Sequence, residues 1–218
     1  MKLKIGIDVF FDFICPWCLI GKRQLQAAIQ QLKLSHPEVE VEVKWLGVQL
    51  LPSIPVEGVP FKAFYLQRLG SRTAVKMRQE QVRQAAKAVE VDIDFERIAR
   101  MPNTARAHRI FAHAMKLGNS AQHDLLLEKL FSAYFYQSEN ISDPAVLQKI
   151  AVECGYAQEQ ITELLAAPHL PFISANTGGK GVPYFVFDGS YAMAGAQPAS
   201  ALYKTMLDVL AVQRKAVV

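Results

Sequence analysis

Cys15 and Cys18 stand three residues apart in the stretch FFDFICPWCLIG, directly after an apolar run. A C-x-x-C pair supports three kinds of chemistry: half of a metal site, a structural disulfide, or a dithiol that cycles with its disulfide. A zinc site needs two further ligands, and His108 with His113 would have to supply them. Five residues along a helix turn through about 500°, which leaves those imidazoles about 140° apart. The gap from Cys18 to His108 also far exceeds the usual finger spacing. A purely structural bridge closing so short a loop removes little chain entropy. The redox reading fits the local geometry better. Pro16 suits the first turn of a helix, where its missing N–H would have had no partner. Unpaired backbone N–H groups and the positive end of the helix dipole then point at Cys15 and favour negative charge on its sulfur. Cys18 lies about 60° around the same helix, within bridging reach. Cys15 is therefore the attacking thiol and Cys18 the one that resolves a mixed disulfide.

Such a pair has to be positioned by a strand running into a helix. Residues 3–13, reaching back to Lys2, read as a first buried strand. A helical pattern over residues 16–34 carries Ile20, Leu25, Ala28, Ile29 and Leu32 until His36-Pro37 breaks it. Val39, Val41, Val43 and Trp45 alternate with charged or polar residues, the period of a second strand. Pro and Gly punctuate residues 52–60, after which the chain reads as helical almost to Leu170, over residues 61–89, 104–117, 124–135, 143–154 and 157–167. Strand character returns at residues 183–187, Asp188-Gly189 makes a tight turn, and residues 191–194 return. Pro198 and Ala199 open a last helix running to about residue 212. The order is β-α-β, a helical block, then β-β-α. This predicts an α/β domain built from residues 1–55 and 176–218, with a large all-helical insertion over residues 56–175.

Composition narrows the function classes. A chain of 218 residues, 51% hydrophobic and 20% charged, is an ordinary globular protein able to bury a substantial core. Its 24 basic and 20 acidic residues are too evenly balanced, and too dispersed, to form a nucleic-acid footprint. No apolar stretch approaches the roughly 18 residues of a transmembrane helix, so neither nucleic acid nor membrane is an expected partner. The start, Met1-Lys2-Leu3-Lys4 and then an apolar run, resembles a secretory leader, but cleavage after roughly 15–30 residues would remove or sever the cysteine pair. The expected location is cytoplasmic, and three cysteines do not make a disulfide-stapled scaffold.

The C-P-W-C at a strand-to-helix junction, the segment Gly181-Val182-Pro183 leading into a strand, and the helices between them resemble the DsbA family of thioredoxin-fold proteins. FFDFICPWCLIG, PNTARAHR at 102–109 and GVPYFVFDGSYAMAGAQP at 181–198 resemble its cytoplasmic FrnE-like branch. The resemblance implies a thioredoxin-like fold and a protein disulfide oxidoreductase. It also implies a cis-proline at Pro183 beside the pair, and a backbone at Val182 that pairs with an extended substrate peptide. Gly178, Gly179 and Gly181 give the chain a compliant approach to such a turn. In the family the dipeptide between the cysteines tunes the redox potential; Pro16-Trp17 lacks the histidine of strongly oxidising relatives, which implies a milder oxidant. Pro16, Trp17, Val182 and Pro183 are thus the residues expected to meet substrate, Trp17 as an apolar landing surface or as packing against the helices.

Other residues carry weaker signals. Asp12, three positions before Cys15, is a candidate proton relay or an acceptor of backbone hydrogen bonds. Lys44 reads as the solvent face of its strand, and Cys154 as a small buried residue in a helix. Arg106, His108 and Arg109 lie in the PNTARAHR segment and read either as residues facing the site or, as is usual for such positions, as a solvated helix surface. Asn140-Ile141-Ser142 matches a glycosylation sequon by chance. Leu125, Leu126, Leu130, Phe131, Tyr134 and Phe135 read as core that could also roof the groove beside Cys15. No bound metal or organic cofactor is expected; glutathione and protein or peptide thiols and disulfides are the expected partners, and homodimerisation is left open. Two competing functions share the fold. Kappa-type glutathione transferases and 2-hydroxychromene-2-carboxylate isomerases usually carry serine where Cys15 stands, and a non-enzymatic chaperone-like module would not need the thiol at all.

Overall fold

A computed structural model describes residues 3–166 and 172–216. In chain order its elements are β1 (Lys4–Phe11), α1 (Pro16–Ser35), β2 (Glu40–Gly47), β3 (Val59–Pro60), α2 (Phe61–Leu69), α3 (Arg72–Lys87), β4 (Arg100–Met101), α4 (Ala105–Ala114), α5 (Ser120–Phe135), α6 (Pro144–Glu153), α7 (Gln158–Ala166), β5 (Tyr184–Phe187), β6 (Tyr191–Ala194) and α8 (Ala199–Ala216). The chain divides into two units, one of residues 1–11, 17–48 and 175–218, the other of residues 12–16 and 49–174.

The first unit is a four-stranded sheet in the order β2-β1-β5-β6. β2 runs parallel to β1, with Ile7 opposite Val43, and α1 supplies the crossover that a parallel pair requires. β5 and β6 are antiparallel additions, with Val9 opposite Phe185 and Phe185 opposite Met193. Alternation along β1 buries Ile5, Ile7, Val9 and Phe11, and the first three join Leu25, Ala28 and Leu32 of α1 and Leu202, Met206, Val209 and Leu210 of α8 in one core. Between β5 and β6, residues 188–190 make a three-residue turn in which Asp188 and Gly189 both have positive φ, 45° and 67°, the left-handed region that glycine and aspartate tolerate best. Asp188 also ties the turn to β1, because its Oδ1 accepts from the Gly6 N–H at 2.7 Å.

The second unit is helical apart from β3 and β4, which pair antiparallel through Val59–Met101 and Pro60–Arg100. Two-residue strands carry no period and were not expected. The helix expected over residues 61–89 is two helices: Gly70 adopts the left-handed conformation at φ 77° and ends α2, and Ser71 restarts the chain by accepting the Ala74 N–H on its side chain. α5 begins four residues earlier than expected because Asn119 and Gln122 form a reciprocal capping box. Of the apolar positions assigned to its core face, Leu126, Leu130, Phe131, Tyr134 and Phe135 are buried, whereas Leu125 is 43% exposed and faces solvent. The first strand ends at Phe11, two residues before its expected limit, and α8 extends past residue 212 to Ala216. Lys2 and Ala167, at the expected limits of two elements, lie outside the described residues. Among the described residues no helix is long and apolar enough to cross a membrane.

Candidate active site

β1 delivers the chain to Asp12, and the Cys15 N–H turns back to donate to the Asp12 carbonyl at 3.1 Å. Pro16 follows as the first residue of α1, so Cys15 sits immediately before the amide end of a 20-residue helix and Cys18 lies in its first turn. Both residues are thiols, Cys15 7% and Cys18 1% exposed. Pro16 and Trp17 between them are half-buried.

Within the sheet unit, the peptide bond Val182–Pro183 is cis, Pro183 is buried and Val182 is half-buried. Gly21, three residues after Cys18 and about one turn along the helix, explains how Pro183 is admitted. A Cβ at Gly21 would stand 3.0 Å from Pro183 Cγ and 3.2 Å from Phe185 Cζ, closer than carbon atoms ordinarily pack. Pro183 therefore lies one turn of α1 from Cys18. The sequence reading passed over Gly21, because a glycine inside a helix announces a packing partner only after that partner is known.

Within the helical unit, Asp12 is fully buried and both carboxylate oxygens are engaged. Oδ2 accepts the Leu50 N–H at 2.8 Å, and Oδ1 meets His108 Nε2 at 3.0 Å. His108 corrects the expectation of a solvated helix surface: it is 1% exposed. Its ring lies between Phe13 and Phe172, each with its centroid 4.8 Å away. The arginines beside it hold backbone, Arg106 donating to the Ser142 carbonyl at 3.1 Å and Arg109 to that of Leu164 at 3.3 Å. Asn103 of the same segment accepts from Gln49 Nε2 at 2.8 Å and donates to the Ile54 carbonyl at 2.6 Å.

Tyr65 is a further neighbour the sequence did not single out. Burial, and after it the charge that Cys15 would carry as a thiolate, hold its phenol above the usual range. Lys44 is exposed on β2. Cys154, the residue that caps the end of α6, is 3% exposed. Burial pushes its thiol from 9.0 up to about 11; Lys129 pulls the other way and Glu153 adds to the rise. Asn140 and Ser142 form a local turn, the Ser142 hydroxyl donating to Asn140 Oδ1 at 2.6 Å. Among the described residues no group of three or more His, Cys, Asp and Glu side chains is arranged to hold a metal ion.

The chain is 26% identical over 153 residues to the uncharacterised protein YwbO of Bacillus subtilis, covering 70% of this chain and 68% of that one. A probable DsbA oxidoreductase from Streptomyces coelicolor superposes with a TM-score of 0.81 at 23% identity, covering 95% of this chain and 90% of its own. The cytosolic disulfide reductase DsbM of Pseudomonas aeruginosa, in a structure with glutathione, superposes with a TM-score of 0.58 at 14% identity, covering 94% and 98%. The DSBA-like thioredoxin domain matches residues 6–206, and the chain belongs to that family.

Proposed function

We propose that this protein is a thiol-disulfide oxidoreductase working through Cys15 and Cys18. The observation that carries the reading is the placement of Cys15 directly before α1 with Cys18 in its first turn. Helix amide groups aimed at a sulfur stabilise its thiolate, the nucleophile of exchange. In the reducing direction the Cys15 thiolate attacks one sulfur of a substrate disulfide, forming a mixed disulfide and expelling the other sulfur as a thiolate. The Cys18 thiolate then attacks Cys15 Sγ, closing the Cys15–Cys18 disulfide and releasing the second substrate thiol. Two electrons pass to the substrate, and two thiols of a donor such as glutathione return them, leaving as a disulfide. The oxidising direction is the same path reversed.

Trp17 and the cis-proline Pro183 flank this chemistry, and the Val182 backbone is the group we assign to an extended peptide strand. Pro16 fixes the start of the helix, and Asp12, three residues before Cys15, is the group we assign to a proton relay. Likeness to a cytosolic disulfide reductase in a structure with glutathione supports a reducing compartment and a glutathione partner for this FrnE-like chain. Flux follows the potential of the pair: a value near thioredoxin's, about −270 mV, makes a reductant, and one near DsbA's, about −120 mV, an oxidant.

Insulin reduction with glutathione as electron donor, run beside a glutathione-conjugation assay, tests the reading. The wild type reduces insulin and does not conjugate glutathione, and Cys15→Ser loses insulin reduction by at least about 10³-fold, since a hydroxyl cannot exchange with a disulfide. A Cys15→Ser variant of undiminished activity would point instead to a binding module.

A further inference from the structure

We infer that His108 is a positioning residue for Cys15, acting through Asp12. The inference rests on the exchange reading above and deepens it. The segment 12–16 groups with the helical unit although the residues on either side of it belong to the sheet unit. Its fastening is short. The Cys15 N–H is held by the Asp12 carbonyl at 3.1 Å, the Asp12 carboxylate by His108 Nε2 at 3.0 Å and by the Leu50 N–H at 2.8 Å. One side-chain bond and one backbone bond therefore lead from α4 to the reactive cysteine.

The imidazole is itself fixed, clasped between the rings of Phe13 and Phe172. The loop that supplies Leu50 is pinned on both sides of it by Asn103, through Gln49 and Ile54. The Gln49 N–H adds a third tie to Ser174 Oγ at 3.0 Å. A fully buried carboxylate is costly to strand, so removing one of its two partners releases the other contacts as well. Asn103 and His108, five residues apart on the segment 102–109, thus brace the stretch 12–16 that carries Cys15 and the loop 49–54 whose Leu50 N–H holds Asp12. This assigns a role to a motif that the redox chemistry itself leaves unused.

The test separates reach from bulk. Glutamine places an amide nitrogen where His108 Nε2 stands, asparagine falls one bond short, and leucine fills space with no donor. Cys15 alkylation by iodoacetamide at pH 7, resolved peptide by peptide, and insulin turnover are both followed for each variant. We expect His108→Asn and His108→Leu to lose about tenfold in both, while His108→Gln stays within about threefold of wild type. If the leucine variant does not fold, the glutamine and asparagine pair decides, since both place an amide in the same pocket. Glutamine and asparagine variants that react alike, whether at the wild-type rate or equally slowly, overturn the inference. A wild type that alkylates readily but fails to reduce insulin sinks the exchange reading instead, while the alkylation series still reports on positioning.

Discussion

Cys15 and Cys154 are nearly equally shielded, 7% and 3% exposed, and each sits one residue beyond a helix, yet at opposite ends. Cys15 precedes α1 and meets its amide end; Cys154 follows Glu153 at the carbonyl end of α6. Helix dipoles favour negative charge at the first place and oppose it at the second. Burial already drives the Cys154 thiol up to about 11, and the neighbouring Glu153 carboxylate adds to the rise. The carbonyls of Cys154 and Gly155 are moreover capped by Gln122 Nε2, at 3.3 and 3.4 Å, the same side chain that closes the capping box of α5. On the proposed reading one cysteine serves chemistry and the other packing, and solvent exposure does not distinguish them.

The comparison breaks most visibly at Cys18, the thiol to which the proposal gives the resolving step. Cys18→Ser should stop the cycle at the mixed disulfide, so that a substrate adduct on Cys15 accumulates in intact-mass spectra and turnover falls by two orders of magnitude or more, on the order of 10². Cys154→Ala should leave turnover within about twofold of wild type, as a buried thiol held protonated takes no part in exchange.

Cys154 has its own signature in alkali. Its thiol keeps the proton in the folded chain and releases it near 9 when unfolded, so the unfolded state binds fewer protons and stability falls as pH rises between about 9 and 11. The loss should reach about 1–3 kcal/mol and be absent below pH 8. Urea unfolding at pH 8 and pH 10.5 measures it, and Cys154→Ala should flatten that part of the slope. The smallest effect is expected at Gln122. Replacing it with alanine removes a cap from each of two helix ends and should cost about 1–2 kcal/mol of stability, with insulin turnover of the folded protein unchanged.

The layout of strands and helices was legible because hydrophobic period reports directly on which faces are buried. β1 and β2 show their alternation, and the hairpin at Asp188-Gly189 shows its turn chemistry. The break between α2 and α3 was also written in the chain, as a glycine that can end a helix followed by a serine that can start one, but the apolar pattern running across it masked both. β3 and β4 carry no period at all, being held by pairing across 42 residues, from Val59 to Met101. The site divides in the same way. Cys15 and Cys18 are conspicuous through local spacing and flanking residues, whereas Pro183 stands out only through the family resemblance. The burial of His108 depends on a carboxylate 96 residues away and on Phe172 stacking across its ring, and no local pattern encodes either. Gly21 is likewise explained only by Pro183, far along the chain.

Equilibrating the protein against a series of glutathione buffers, quenching with acid and quantifying each cysteine by peptide mass tests the central claim most directly. The account predicts one reversible two-electron transition in which Cys15 and Cys18 become linked to each other while Cys154 remains a thiol throughout. A series in which that pair never links, or in which Cys154 oxidises alongside it, would contradict the assignment of the helix-start dithiol as the working centre.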